Sequence, residues 1–327
     1  MNVINKKYDK SLSEIIKFLS FLNITSWTFP TLYTEKYFDW KIKDNPFRKS
    51  FCYLRFVGNN PVAHLSITAK PLNENLEIGS GLGELGDSHT HPDFQKQGHF
   101  GELGNQVIKE FSAIYNEDAL IFGIPNENSV HGYLSRCNCD LLEYLKIGEY
   151  ILEKKFKYHL DFTSNLLELK SDSEIDMLIN SVWNISYKRN LTLIKKDSNW
   201  WKWRYKLSSE QYKLFSINLK DDYKKVYLIA KIRTKYFFSN IDICDIFGET
   251  EELELEILYL FLIKYKSPFN RIRIWSKENT KIKELLIKNG FKFARKINFI
   301  LYRNLSYQVI RNKNFDIAID LGDTDNV

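Results

Sequence analysis

The chain of 327 residues is poor in the residues that interrupt regular structure, with 7 prolines and 14 glycines. Long disordered linkers are usually rich in such residues, so we expect a chain that folds throughout. No apolar run is long enough to span a membrane, and the N-terminus lacks a basic segment followed by an apolar one. These absences predict a cytoplasmic protein.

Cysteine is also scarce, and its spacing argues against a metal site. The four cysteines include no C-x-x-C pair. Cys137 and Cys139 are too close in sequence to supply two ligands of one tetrahedral zinc ion. We therefore predict buried free thiols and no bound metal.

The charge of the chain is mildly basic and unevenly distributed. Lys and Arg outnumber Asp and Glu by 47 to 41. The net charge is about −2 in residues 1–163 and about +8 in residues 164–327. The lysines stand singly among apolar residues, a pattern that indicates a solvated surface with a mild preference for anions. We expect no nucleic-acid partner.

An internal repeat divides the chain into two halves of similar size. The aromatic cluster at residues 38–42 is echoed at residues 201–205. Short strand-like runs follow each cluster, and each half closes with a helix and a strand, the last of them at residues 299–303. The pattern predicts a duplicated α+β fold with domains at residues 1–163 and 164–327.

The most informative stretch is a strand, a glycine-containing loop and the start of a helix, at residues 90–101. Free backbone N–H groups at a helix N-terminus attract a pyrophosphate, and the helix dipole adds to this attraction. Gly98 and Gly101 would let phosphates approach the backbone where a Cβ would collide. The helix that follows is amphipathic.

These residues resemble the GNAT acyltransferase superfamily, whose acyl-CoA loop reads Gln/Arg-x-x-Gly-x-Gly/Ala. The chain matches the first four positions and carries Phe at the last. Pro125-Asn126-Glu127-Asn128-Ser129 resembles the superfamily's corner beside the pantetheine arm. The resemblance implies two tandem GNAT-like domains, each a mixed, mostly antiparallel sheet flanked by helices. It also implies acetyl-CoA or another acyl-CoA as cosubstrate, bound by His89, Thr90, Gln95, Lys96, Gln97, Gly98, His99, Phe100, Gly101, Asn126 and Asn128.

Transfer to an amine needs a base, because only the neutral amine attacks a thioester. Glu84 lies eleven residues before Gln95, the offset of the glutamate base in the histone-modifying branch. Asp87 and His89 are the other candidates. With a strand period of two they share one face, and Glu84 lies on the other unless a bulge near Gly86 shifts the phase.

The resemblance implies two further groups at the reacting centre. In this fold a backbone N–H of the cofactor strand binds the oxyanion, here near His89 or Thr90. A tyrosine on the helix after the asparagine corner protonates the leaving thiolate in many members. Tyr133 is the candidate, with a core aromatic as the alternative interpretation.

The second half has the same order of strands and helices as the first but lacks the glycine-containing loop. Gly248 stands alone before Glu249, Glu251 and Glu252, and these carboxylates would repel a phosphate. Its ending, Leu285-Leu286-Ile287-Lys288-Asn289-Gly290-Phe291, resembles the closing segment of the superfamily. We predict a degenerate copy that serves acceptor recognition. Trp40, Trp201 and Trp203 either shape an acceptor pocket or belong to the core.

Three hypotheses for function remain. The leading one is an acyl-CoA-dependent N-acyltransferase acting on a primary amine, with an amino sugar of surface polysaccharide biosynthesis as the candidate acceptor. The second is a Fem-like aminoacyl-tRNA-dependent transferase, against which the pyrophosphate loop argues. The third is a non-catalytic acyl-CoA-binding or scaffold protein.

Overall fold

The protein forms two seven-stranded sheets, each flanked by helices. The computed structural model describes residues 2–8, 13–14, 17–18, 34–47, 49–152, 164–187, 192–208, 211–219, 222–265, 267–278, 280–313 and 320–323.

The first sheet has the strand order β1-β2-β3-β4-β5-β14-β6. Its strands run antiparallel except for the parallel pair β4 and β5. The bounds are β1 Val3–Tyr8, β2 Phe51–Val57, β3 Asn60–Lys70, β4 Gly81–Thr90, β5 Ala119–Gly123, β6 Cys139–Leu141 and β14 Ile300–Tyr302.

The second sheet repeats this arrangement, with the order β8-β9-β10-β11-β12-β7-β13. Again one pair, β11 and β12, is parallel and the others are antiparallel. The bounds are β7 Ile147–Leu152, β8 Asn165–Leu169, β9 Tyr212–Leu219, β10 Asp222–Lys235, β11 Phe238–Gly248, β12 Asn270–Lys277 and β13 Lys292–Ile297. The predicted duplication is confirmed.

The two halves exchange one strand each. β14, from the end of the chain, lies in the first sheet between β5 and β6, and β7 lies in the second sheet between β12 and β13. The expectation that each half closes with its own strand is therefore wrong. Both β14 and β7 have an antiparallel partner on each side. The residue pattern within a strand does not indicate which sheet supplies these partners.

The helices are amphipathic or buried elements that cover these sheets. Their bounds are α1 Glu35–Phe38, α2 His99–Ile114, α3 Glu127–Arg136, α4 Asp172–Ser186, α5 Ser198–Trp201, α6 Glu251–Lys264, α7 Lys281–Lys288 and α8 Leu305–Lys313. One turn of π-helix follows α1 at Asp39–Lys43 and another follows α5 at Lys202–Lys206. None of the described helices is long and apolar enough to cross a membrane.

Helix α2 lies on the first sheet through the apolar positions that its sequence spacing predicts. Leu103, Val107 and Phe111 are buried against Leu65 and Ile67 of β3. Each fully buried aliphatic or aromatic side chain contributes roughly 1.5–3 kcal/mol, so this face fixes the helix on the sheet. Its N-terminus is thereby held at the end of β4.

Chain contacts divide the protein into two compact units. One consists of Met1–Glu143, Leu207–Ser209 and Asn298–Phe315, and the other of Tyr144–Lys206, Glu210–Ile297 and Asp316–Val327. The predicted division after residue 163 falls at the end of residues 153–163, which lie outside the described residues, and it stays a prediction. The four cysteines are buried and free, as predicted. Trp40, Trp201 and Trp203 are all buried in the core.

The exchange of β14 predicts that a change near the C-terminus destabilises the first sheet. Ile300 is fully buried between β5 and β6, so Ile300→Ala should lower the free energy of unfolding by about 2–5 kcal/mol. Hydrogen exchange should show faster exchange in β5. Ile287→Ala is the matched control because Ile287 is 49% exposed. Equal stability of the two variants would contradict the exchanged arrangement.

Candidate functional site

Strand β4 contains a bulge at Asp87, immediately before the predicted cofactor segment. His89 pairs with His64 of β3 and Gly86 pairs with Ser66, so two residues of β4 oppose one of β3. Asp87 has a φ of 48°, the left-handed region that non-glycine residues seldom occupy. The parallel ladder with β5 ends at Leu85 and Gly123, and β4 continues beyond it to Thr90.

This bulge shifts the phase of β4, so Glu84 and Asp87 share the face opposite α2. A Cβ on Gly83 would meet Phe111 of α2, which places the next residue, Glu84, on the other face. Asp87 contacts Lys41, whose Nζ also lies 3.4 Å from the position of a Cβ on Gly86. The structure thus contains the bulge near Gly86 that the strand period of two requires if Glu84 is to share a face with Asp87.

Two of the candidate bases are members of buried ion pairs. Lys41 Nζ lies 2.7 Å from Asp87 Oδ2, which also accepts a hydrogen bond from Ser66, and both side chains of the pair are nearly inaccessible. Lys70 Nζ lies 2.8 Å from Glu84 Oε2, again with both side chains buried. Neither Asp87 nor Glu84 lines the cavity described below.

Two histidines converge on the backbone carbonyl of Asp87. The Nδ1 atoms of His64 and His89 lie 2.7 Å and 2.9 Å from this oxygen. A carbonyl oxygen only accepts, so both rings carry their hydrogen on Nδ1 and leave Nε2 as the acceptor atom. Burial lowers the pKa of His64 to about 4 and also lowers that of His89, so both rings are neutral near pH 7.

A cavity of about 420 Å³ opens where β4 ends and α2 begins. This volume lies within the usual range of ligand pockets. Among the described residues that line it, Lys96 and Arg136 are cationic and none is acidic. The lining residues are Ser88, His89, Thr90, Phe94, Gln95, Lys96, Gly98, His99, Phe100, Gly101, Asn126, Asn128, Ser129, His131, Gly132 and Arg136.

The N-terminus of α2 contributes backbone donors to this cavity. Gly98 is the N-cap residue, with a φ of 89° that favours glycine, and no side chain of the described residues caps the helix. The first N–H groups of a helix have no partner within it, and the helix dipole favours an anion beside them. Lys96, with a φ of 62°, also adopts the left-handed conformation in this loop.

His99, whose side chain is neutral, also lines this cavity. Its Nδ1 accepts a hydrogen bond of 3.1 Å from Arg55 Nε, so Nε2 carries the hydrogen. The side chain is 8% exposed, and Nε2 has no hydrogen-bond partner within the described residues. Burial, together with the positive charge of Arg55, lowers the pKa of His99 and keeps this ring neutral.

Phe100, which replaces a small residue of the loop motif, fits into the space beside Gly132 and Tyr133. The Phe100 ring packs against Tyr133 at 4.9 Å, and a Cβ on Gly132 would lie 2.8 Å from it. Gly132 therefore accommodates Phe100. Tyr133 is 2% exposed beneath this ring and does not line the cavity. Burial raises the pKa of its phenol, which stays protonated.

The contacts of two residues in this segment, Gln97 of the loop and Gly101 of α2, do not require a bound phosphate. A Cβ on Gly101 would lie 2.7 Å from the Cβ of Arg136, so close packing of α2 and α3 explains this glycine. Gln97 does not line the cavity, and its Nε2 donates to the Asp93 carbonyl at 3.0 Å.

The motifs in the sequence did not indicate Arg136, His131 or Arg55 as site residues. Arg136 could have been found from helical spacing, because Asn128, Gly132 and Arg136 recur every four residues and share one face of α3. Arg55 acts through His99, 44 residues away, and no local pattern indicates this contact. Within the described part of the chain, no three His, Cys, Asp or Glu side chains could together hold a metal ion.

The corresponding place in the second unit is closed by its own side chains. Only two residues separate β11 from α6, so the loop is missing. Thr250 caps α6 by accepting from the N–H of Leu253, and the buried Glu254 carboxylate accepts from the N–H of Gly248 at 3.0 Å. These carboxylate and hydroxyl oxygens occupy the donors that an anion would use.

Solved structures that share this fold include proteins described as N-acetyltransferases and one described as a tandem GNAT protein. A GCN5-related N-acetyltransferase from Anabaena variabilis has a TM-score of 0.65 at 11% identity over 91% of this chain and 72% of its own. A probable N-acyltransferase from Enterococcus faecalis gives 0.63 at 11% identity over 95% and 74%. A tandem GNAT protein from the clavulanic acid biosynthesis pathway gives 0.61 at 8% identity over 92% and 98%.

No family model matches the chain, and no curated protein is a significant match. At these identities the likeness to solved structures shows the fold. The chain therefore consists of two GNAT-like folds in tandem, and the predicted fold class is confirmed.

The buried pair of Lys41 and Asp87 predicts a large effect on stability. Lys41→Met leaves the Asp87 carboxylate buried without its cation, so the free energy of unfolding in urea should fall by about 3–5 kcal/mol. Lys43→Met is the control, because Lys43 is half exposed and its pair with Asp39 contributes at most about 0.5 kcal/mol. Two variants of equal stability would show that the pair does not hold the bulge.

Proposed function

We propose that the protein is an acyl-CoA-dependent N-acyltransferase that moves an acetyl or other acyl group to a primary amine. The observation that carries this proposal is the cavity at the end of β4, which combines a helix N-terminus with Lys96 and Arg136 and has no acidic side chain among its described lining residues. Opposite charge, directed N–H groups and a helix dipole together favour a pyrophosphate.

The residues of this cavity fit acyl-CoA at several points. The first N–H groups of α2 and the guanidinium of Arg136 would hold the pyrophosphate, since a guanidinium binds phosphate oxygens in pairs. The buried Nε2 of His99 supplies one further donor. Asn126 and Asn128 at the start of α3, together with residues 88–90 of β4, would border the pantetheine arm.

Bound acyl-CoA would supply a thioester carbon for attack, and His89 would prepare the amine. His89 lines the cavity, and its Nδ1–H donates to the Asp87 carbonyl, so Nε2 is the atom that can accept a proton. Because burial lowers the pKa of this ring, it is neutral at physiological pH and able to act as a base. Asp87 orients His89 through its carbonyl oxygen.

The strand itself offers the oxyanion donor. β4 leaves the ladder with β5 after Leu85, and the bulge follows at once. We assign the donor to a backbone N–H near His89 or Thr90, which would lie beside the thioester carbonyl. Tyr133 stays protonated and contacts Ser88, which lines the cavity, so a proton could reach the leaving thiolate through this pair.

The second unit is proposed to serve acceptor recognition. It keeps the fold, yet Glu254 and Thr250 occupy the donors of its anion position. As acceptor we propose a small primary amine, with a nucleotide-linked amino sugar of surface polysaccharide biosynthesis as the compound to test first.

Binding of acyl-CoA should depend on Gly98. Gly98→Glu places a carboxylate at the helix N-terminus, so calorimetry should show acetyl-CoA affinity reduced by at least about tenfold. Gly58→Glu is the matched control: Gly58 also has a positive φ, 62°, and, apart from its chain neighbours, no described residue lies within 4 Å of its Cβ position. If both variants bind like the unmodified protein, the loop is not the cofactor site.

The acidic limb of the pH profile should belong to His89. A base must be neutral to accept a proton, so kcat/KM should fall as pH falls through the lowered pKa of His89. His89→Gln should lose this inflection and reduce kcat by roughly 10²- to 10⁴-fold. His91→Gln is the control, since His91 does not line the cavity. An unchanged profile in His89→Gln, with acetyl-CoA affinity intact, would exclude His89 as the base.

A further inference from the structure

Four aromatic side chains are exposed together at one end of the second sheet. They are Tyr236 at 86%, Phe237 at 65%, Phe238 at 53% and Phe269 at 48% exposure. The Phe237 ring lies 4.4 Å from that of Phe238 and 5.3 Å from that of Phe269. We call these four residues the aromatic tip. Single exposed apolar residues are common, but a contiguous group usually marks a binding surface.

The turn conformation in the aromatic tip is unfavourable for aromatic residues. Lys235 pairs with Phe238, so Tyr236 and Phe237 form the two-residue turn between β10 and β11. Such turns favour Asn and Gly because they need a positive φ. Tyr236 has a φ of 57°, which is strained for a bulky residue. Aromatic side chains that oppose local turn chemistry indicate a functional requirement outside the fold.

The segments that carry the aromatic tip are basic. Residues 223–241 contain five Lys or Arg and no acidic residue, and the same is true of residues 257–277. Lys235 and Arg271 are exposed beside the tip, and Lys235 Nζ lies 6.0 Å from the centre of the Tyr236 ring. Arg233, whose guanidinium pairs with Asp242, lies opposite Asn240, which pairs with Arg271, so these residues form a row across three strands just behind the aromatic rings.

We propose that the aromatic tip anchors the protein to the surface of a bilayer that contains anionic lipids. Aromatic rings prefer the headgroup region of a membrane, and adjacent Lys and Arg are attracted to anionic headgroups. The strength of membrane binding grows with the buried apolar area and with the attraction to anionic lipids, and the tip supplies both. Lys235 is next to the tip in sequence, and the pairing of β11 with β12 brings Arg271 to the same end of the sheet.

A bilayer fits this surface better than a protein partner does. The aromatic residues occupy a two-residue turn, the first position of β11 and one neighbouring loop position, which form a small projection rather than a broad face. Stable protein interfaces bury roughly 1,200–2,000 Å² in total, more than four side chains at a turn provide. Insertion into a lipid surface has no such requirement for area or shape.

The test is cosedimentation of the full chain with vesicles of phosphatidylcholine alone or mixed with phosphatidylglycerol. The protein should bind the mixed vesicles and not the neutral ones. The double variant Phe237→Ser and Phe238→Ser should weaken binding by at least about tenfold. Lys235→Gln should also weaken binding, and a higher salt concentration should weaken the binding of the unmodified protein in the same way. Met177→Ser is the matched control, because Met177 is 72% exposed on α4 and lies outside the tip.

Several outcomes would overturn the proposal. Equal binding of the tip variants and the unmodified protein would remove the aromatic tip from the interaction. A dimer that depends on Phe237 in light scattering, without vesicle binding, would assign the surface to a second copy of the chain. Binding of single-stranded oligonucleotides in place of vesicles would assign it to nucleic acid. Circular dichroism of each variant establishes that it is folded, which the exposure of the substituted rings leads us to expect.

Discussion

The buried ion pair of Lys41 and Asp87 determines the course of β4, and the candidate site follows from it. A carboxylate is costly to bury unless a cation and hydrogen bonds replace its water. Here Lys41 and Ser66 both reach Oδ2 of Asp87, and the backbone turns into the left-handed region to allow it. The extra residue of the bulge then directs the Asp87 carbonyl towards His64 and His89. Strand β4 thus ends its ladder with β5 where the cavity begins.

The second unit keeps this construction beside a much smaller cavity, of about 30 Å³. Cys244 is the extra residue of a bulge in β11, and beside it Asp245 lies 2.5 Å from the buried Nζ of Lys196 and accepts from Tyr205. The same lysine also pairs with Asp320 and Asp323 near the chain end. Three carboxylates share one lysine, and burial raises the pKa of Asp323 to about 7. The second unit therefore forms the bulge and its buried Lys–Asp pair although its described residues offer no comparable anion site.

Local features of the site could be predicted from the sequence, and features that depend on distant partners could not. Gly98, the loop before it and the amphipathic helix after it are defined by neighbouring residues, so their arrangement followed from spacing. The burial of Glu84 and Asp87 depends on Lys70 and Lys41, the latter 46 residues away, and no short pattern links them. Likewise, the pattern of residues 300–302 indicates a strand and cannot indicate which sheet it joins.

The same buried lysines also affect the electrostatics of the proposed anion site. Strand β4 carries two carboxylates, Glu84 and Asp87, in the protein interior. The low dielectric constant there lets an unpaired charge act over a long distance. Left unpaired, they would oppose the binding of a pyrophosphate at the end of the strand. Lys70 and Lys41 neutralise them within 3 Å, while Lys96 and Arg136 line the cavity. The strand can therefore hold its acidic residues in the core and still present a net positive site where α2 begins.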